Sequence, residues 1–233
     1  MKFNKKILLF ILIYPFICSS QQESSNILFF FTEEQEIDIY EYNEEFIIRA
    51  DYKTQSEALN LYPEQLIQSV FSASTQEWVN YNTLGGEEKA TKKDKAYFDR
   101  IKNMDRDKNY IELIHKLSFE LNSLPTVIIK FFLHEEKNKP VSGAMVMQKV
   151  DNRWLTTSSI DVSTFSIMVM RLKTEVLKGA FLGDQNNAEI QKLHERVINE
   201  NGLDLNRFQE DFFSWYDDDN TYYKNIFLDP KAW

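Results

Sequence analysis

Tyr110-Ile111-Glu112-Leu113-Ile114-His115-Lys116-Leu117-Ser118-Phe119-Glu120-Leu121 decides how this chain folds. Ile111, Leu113, Leu117, Phe119 and Leu121 recur at every second position, with Glu112, Lys116, Ser118 and Glu120 between them. A period of two sends the two sets to opposite faces of a half-buried strand. Only His115 interrupts the apolar set. After the turn Asn122-Ser123-Leu124-Pro125, Thr126 to His134 carries a wholly apolar face (Val127, Ile129, Phe131, Leu133) and a mixed one (Ile128, Lys130, Phe132, His134). The polar loop from Glu135 to Pro140 returns to Val141–Val150, and Asp151-Asn152 turns into Arg153-Trp154-Leu155-Thr156-Thr157. Both turn residues tolerate positive φ, as a two-residue hairpin requires. Strands joined by loops this short pair as sequential antiparallel neighbours. The expectation is a four-stranded antiparallel meander over residues 109–157.

Outward from the meander, the pattern changes from two to 3.6. Pro63 opens an expected helix to Val79, with Leu66, Ile67, Val70, Phe71, Ser74 and Trp78 on one stripe. Thr83-Leu84-Gly85-Gly86 ends it. A second helix, Lys95 to Met104, carries Tyr97, Phe98, Ile101 and Met104. After the meander, Phe165 to Leu182 shows an apolar arc wide enough for burial on two sides, and Gly183 stops it. Asn187 to Asn201 is narrower and ends at Gly202, and Asp204 caps a last helix with Leu205, Phe208, Phe212 and Trp215. The expected class is α+β: the meander packed by two preceding helices, with three C-terminal helices and an aromatic tail, Tyr222 to Trp233.

The N-terminus reads as an address. Lys2, Lys5 and Lys6 precede an apolar run from Ile7 to Ile17, followed by Cys18-Ser19-Ser20-Gln21-Gln22. Basic, apolar and small-residue regions in that order describe a secretory leader, too short to span a bilayer. Residues 1–20 are therefore expected to be removed. Residues 21–55 form an acidic aromatic arm or edge strands, 56–160 the sheet domain, and 161–233 a helical extension on it. Acylation of Cys18 is the rival ending, but the bulky Ile17 stands where a lipoprotein signal has a small residue. Without the leader the chain keeps no cysteine, so disulfides, thiol catalysis and cysteine-held metals fall away together.

The formal charge is -9, and loss of three leader lysines makes the mature chain more acidic still. Glu23, Glu33, Glu34, Glu36, Asp38, Glu41, Glu44 and Glu45 lie between Gln21 and Ile48 without one base among them. Such a surface repels phosphate backbones, so no nucleic-acid partner is expected. An aromatic content of 14% excludes a wholly disordered chain.

Two helices, a curved meander ending in Val150-Asp151-Asn152-Arg153-Trp154 and a basic-Trp strand resemble the nuclear-transport-factor-2-like (cystatin-like cone) proteins over residues 56–160. That resemblance implies a protein binding small ligands or partners, or an isomerase, cyclase or dehydratase. The three C-terminal helices depart from the family pattern and would fill the mouth where its pocket lies.

Chemistry is sparsely signalled. His115, His134 and His194 are the only histidines. His115 is the single candidate base, provided it lines an open cavity near a carboxylate or tyrosine hydroxyl; otherwise it is a core histidine. His134 beside Glu135 and Glu136 suggests a solvent position, and His194 a helix rim. No zinc spacing occurs. Asp217-Asp218-Asp219-Asn220 lacks the glycine and terminal carboxylate of a calcium loop, since Tyr222 and Leu228 occupy those positions. No cofactor, metal or membrane span of the mature chain is expected. The leading functional expectation is an exported, non-enzymatic envelope protein binding a small apolar ligand or a protein partner. The alternatives are a cone-type isomerase or dehydratase using His115, and a structural or adhesion component.

Overall fold

The computed structural model describes residues 22–27, 35–43, 46–136, 138–157 and 162–199. The expected leader with Cys18, the Asp217–Asp219 run, the helix after Asp204 and the aromatic tail lie outside the described residues. The protein is α+β, built on one antiparallel sheet. Its meander is β4 (Tyr110–Leu121), β5 (Leu124–His134), β6 (Val141–Val150) and β7 (Arg153–Thr156). Both tight hairpins are made as their turn residues dictate. Asn122 and Ser123 take φ of 54° and 61°, Asp151 and Asn152 of 48° and 65°, the doubly positive geometry that matches the twist of the flanking strands.

The acidic N-terminal stretch adds strands to the meander's open edge. β1 (Gln22–Ile27) pairs with β2 (Gln35–Glu41), β2 with the second half of β4, and the short β3 (Ile47–Ile48) with its first half. The strand order is β1-β2-β4-β5-β6-β7. Helices cover both faces. α1 (Pro63–Ser72) lies against β3 and β7, with α2 (Gln76–Asn82) beside it. On the other face α4 (Ser163–Arg171) crosses β5 and β6, while α5 (Thr174–Leu182) sits between β1 and α6 (Ala188–Asn199). α3 (Lys92–Lys102) precedes the meander and buries Phe98 and Ile101.

The apolar stripe of β4 does not serve one face. Every odd residue from Ile111 to Leu121 is buried, yet Ile111 and Leu113 pack with Leu66 and Ile67 of α1, while Leu117, Phe119 and Leu121 pack with Phe165, Val169 and Phe181 of the C-terminal helices. The cause is a β-bulge. Leu113 pairs with Phe131 and His115 with Lys130, leaving Ile114 as an extra residue. One unpaired residue changes the phase of the alternation. The carbonyl of Ile114 accepts a bond from Tyr42 N at 3.0 Å, and Leu113 N donates to the Phe46 carbonyl at 3.0 Å. The bulge thus marks where β4 changes partner from β3 to β2. β5, at the centre, is buried on both faces from Thr126 to Phe131.

Three helical expectations differ in detail. The helix expected over 63–79 is two, because the Ser72 hydroxyl turns back to the Gln68 carbonyl and Thr75 caps a new start, accepting from Trp78 N. The next helix begins at Lys92, three residues early, under a reciprocal capping box between Thr91 and Asp94. The helix expected over 165–182 breaks at Leu172 and Lys173, where Lys173 is extended (φ -60°, ψ 149°). Gly183 ends α5 as expected, at φ 85°, with its N–H on the Gly179 carbonyl.

Candidate functional site

The polar network around Asn60 holds a set of exposed apolar side chains at the outer edge of β7. Asn60 is buried in the left-handed region at φ 53°. Its Nδ2 donates to Asn82 Oδ1 at 3.0 Å, Ser69 Oγ donates to the same oxygen at 2.7 Å, and Trp78 Nε1 donates to Ser69 Oγ at 2.9 Å. The Asn60 carbonyl accepts from Trp154 N at 2.8 Å. Two residues further along the same strand edge, the Thr156 carbonyl accepts from Leu84 N at 2.9 Å. The two anchor points are thus about 7 Å apart, two strand residues. With Asn60 turned inward, its neighbours face out: Leu59 is 56%, Leu61 46% and Tyr62 63% exposed, and Leu84 40%. Arg153 closes the inner side, its guanidinium 3.8 Å above the Tyr81 ring and bonded to the Tyr81 carbonyl at 2.9 Å. Four large apolar side chains are thus exposed on two segments whose backbones are tied to the same edge of β7. The sequence carries one signal for it: an asparagine set within an apolar run directly before the helix-starting Pro63.

Next to it, at the start of α1, stands a charged group. Tyr42 Oη donates to Glu64 Oε1 at 2.5 Å, and Lys116 Nζ donates to the same oxygen at 2.9 Å. The ammonium also sits 5.0 Å from the Tyr40 ring centre and 5.7 Å from that of Tyr42. Burial, then the Glu64 carboxylate, raise the Tyr42 phenol, so it stays protonated. Burial pushes the Glu64 carboxyl up, but the bonds from Tyr42 and Lys116 outweigh it and leave it below the ordinary carboxylate range. Every member is satisfied, so the group fixes α1 to β2 and β4.

His115 lies on the opposite side of the sheet, fully buried beneath the α4–α5 junction. Its Nδ1 is 3.1 Å from Thr174 Oγ1. Burial, with the nearby Lys130 ammonium, lowers its pKa to about 3 from 6.5, and the Val169 carbonyl offsets only part of that. Lys130, its cross-strand partner on β5, is buried too and donates Nζ to the Leu172 carbonyl at 2.6 Å. Ser142 on β6 donates to the Met170 carbonyl at 2.8 Å. Three neighbouring strands therefore each send one polar side chain to the break between α4 and α5. The imidazole is thus enclosed under the helical layer with the Thr174 hydroxyl at Nδ1, the surroundings of a core histidine rather than of one lining an open cavity.

The other histidines are also brought into bonds. His134 is not left to solvent: its Nε2 lies 2.7 Å from Glu112 Oε2, and its ring stacks on Tyr110 at 4.4 Å. Plain alternation accounts for the first contact, since Tyr110 pairs with His134 and Glu112 with Phe132 on one side of the bulge, and the bulge then brings His115 to that same face. His194 Nδ1 donates to the Ala180 carbonyl at 3.0 Å, joining α6 to α5. Two open clefts flank α3. One of about 720 Å³ is lined by Asp99, Asp105, Glu135 and Glu136 with Arg100 and three asparagines. The other, about 470 Å³, lies between α3 and the start of α2 beside Lys92, Lys95 and Lys102. Neither borders His115. Among the described residues no three His, Cys, Asp or Glu side chains are grouped to hold a metal, and no helix is long and apolar enough to cross a membrane. No family model, curated protein or solved structure matches the chain, so the cone-fold resemblance rests on its pattern of elements alone.

Proposed function

We propose that this chain is an exported, non-enzymatic envelope protein that binds a protein partner through the surface formed by Leu59, Leu61, Tyr62 and Leu84. The observation that carries the reading is the pairing of that exposed apolar set with the buried Asn60 network beneath it. Exposed aliphatic and aromatic groups cost solubility, and a backbone held in the left-handed region costs strain. A surface that retains both gains most when it meets a partner. A protein partner is favoured over a small apolar ligand because the two clefts beside α3, among the described residues, are open and bordered by charged and amide side chains. Export rests on the basic-apolar-small order of residues 1–20.

The test compares the native chain with a Leu59→Glu/Leu61→Glu variant, each immobilised and incubated with an envelope fraction under identical conditions. One partner retained by the native chain and lost from the variant, with an unchanged melting temperature, supports the reading. Equal recovery by both proteins, or recovery by neither, removes this surface as the binding site. The isomerase or dehydratase alternative would require catalysis abolished by His115→Gln, and the burial of His115 gives that outcome little support.

A further inference from the structure

His115, Lys130 and Ser142 stand on β4, β5 and β6 and reach the same short break in the helical layer. Ser142 holds the carbonyl of Met170 in the last turn of α4, Lys130 that of Leu172, and His115 meets the hydroxyl of Thr174, the first residue of α5. Of these contacts, the one at the start of α5 depends on a group that changes charge near neutrality when exposed. The apolar clusters on the two sheet faces are separate: the one under α4–α6 contains Leu117, Phe119 and Ile128, the one under α1 contains Ile111, Leu113 and Ile129. Lifting the start of α5 therefore removes no side chain from the cluster under α1.

We propose that the α4–α5 junction is an acid-sensitive hinge, in which proton uptake by His115 releases the first turn of α5 from the sheet while the α1 face stays closed. In the closed form burial, and then the Lys130 ammonium on the paired strand, disfavour a second cation there. The other charged or titratable groups on this face are Glu112 of β4, held by His134 Nε2 at 2.7 Å, Glu41, the cross-strand partner of His115 on β2, and, from the helical layer, Arg171, Lys173, Glu175 and Lys178. Glu41 does not neutralise the ring for free, because its Oε2 lies 3.6 Å from Lys178 Nζ and is committed to α5. Departure of the α5 start lets water reach the imidazolium and screen it from the Lys130 ammonium, which stays beside it on β5. The proton is taken from solvent, and no bond other than hydrogen bonds is broken.

Hydrogen exchange read by mass spectrometry on the full chain between pH 7.5 and 4.5, corrected for the intrinsic exchange rate, tests this. Amides of residues 174–180 should lose protection by roughly tenfold per pH unit below about 6.5, the signature of one proton taken up on opening. Amides of α1 should keep theirs over the same range. The variant His115→Gln keeps a polar contact without titrating, and its 174–180 amides should show no such slope. A flat native profile, an equal slope in the variant, or parallel loss from α1 would each overturn the hinge. Should the variant not fold, the His115 ring resonances of the native chain decide. Titration ahead of global unfolding supports local opening, and titration only together with unfolding refutes it.

Discussion

Asn60 shows how much one residue carries. Its backbone occupies a left-handed conformation that asparagine accepts more readily than other residues with a β-carbon, and its amide bonds to Asn82 in a site without water access. Asn60→Ala loses the hydrogen bond and adds strain, and should cost about 2 kcal/mol in urea unfolding. Asn60→Gly loses only the bond and should cost about 1 kcal/mol. If the two variants unfold at the same midpoint, the strain argument is wrong. His115 was legible in the sequence as the lone break in an apolar alternation. Its surroundings were not, because Thr174 is far off in the chain and nothing in a periodic pattern pairs a strand residue with a helix break.

At the scale of elements, α5 and α6 approach closely because Gly179 has no side chain. A β-carbon there would lie 2.4 Å from Ile190 Cγ2, nearer than packed carbons come. Gly179→Ala should destabilise by about 1–3 kcal/mol, and adding Ile190→Ala should recover part of the Gly179 penalty. A thermal-unfolding double-mutant cycle showing strict additivity would mean the two helices do not meet at this point. The type and order of the meander strands and most helices were readable, since alternation, turn residues and apolar stripes agree with one another. Helix breaks were less so: the apolar stripe ran unbroken through Thr75, which caps a second helix, and at the Leu172–Lys173 interruption Lys130 and Ser142 reach up from sheet positions distant in the chain. The edge strands β1 and β2 lie in an acidic, aromatic stretch whose composition would equally suit an undocked arm, and composition alone does not separate the two.

For the molecule as a whole, acid is the direct probe. The folded-state pKa of His115 is about 3, below its ordinary 6.5, so between those values the unfolded chain binds more protons than the folded one. Its contribution to stability is complete above pH 6.5 and is lost as pH falls toward 3, with a slope of up to about 1.4 kcal/mol per pH unit. Glu64, whose carboxyl is lowered, adds a loss of the same sign below its ordinary value of 4.5. Urea titrations at stepped pH should show this decline, and His115→Gln should flatten its upper part; an unchanged slope would assign acid lability to other groups. Export has its own check. A mature chain beginning at Gln21, seen by intact mass, agrees with cleavage after Ser20, whereas a lipid-modified Cys18 would replace it with a heavier, earlier-starting species.

Ile114 gives β4 an asymmetry toward changes of length. Excise it, and Leu113 would be followed by His115 in plain alternation, each side chain still directed to its native layer, with the Tyr42 bond forfeited. Remove a neighbour inside either half instead, and part of the strand must turn its oily groups toward the wrong layer or shift register against β5. A codon-by-codon deletion scan of residues 111–121 should accordingly find its best-tolerated gap at Ile114, the position where the strand counts one more residue than its partner.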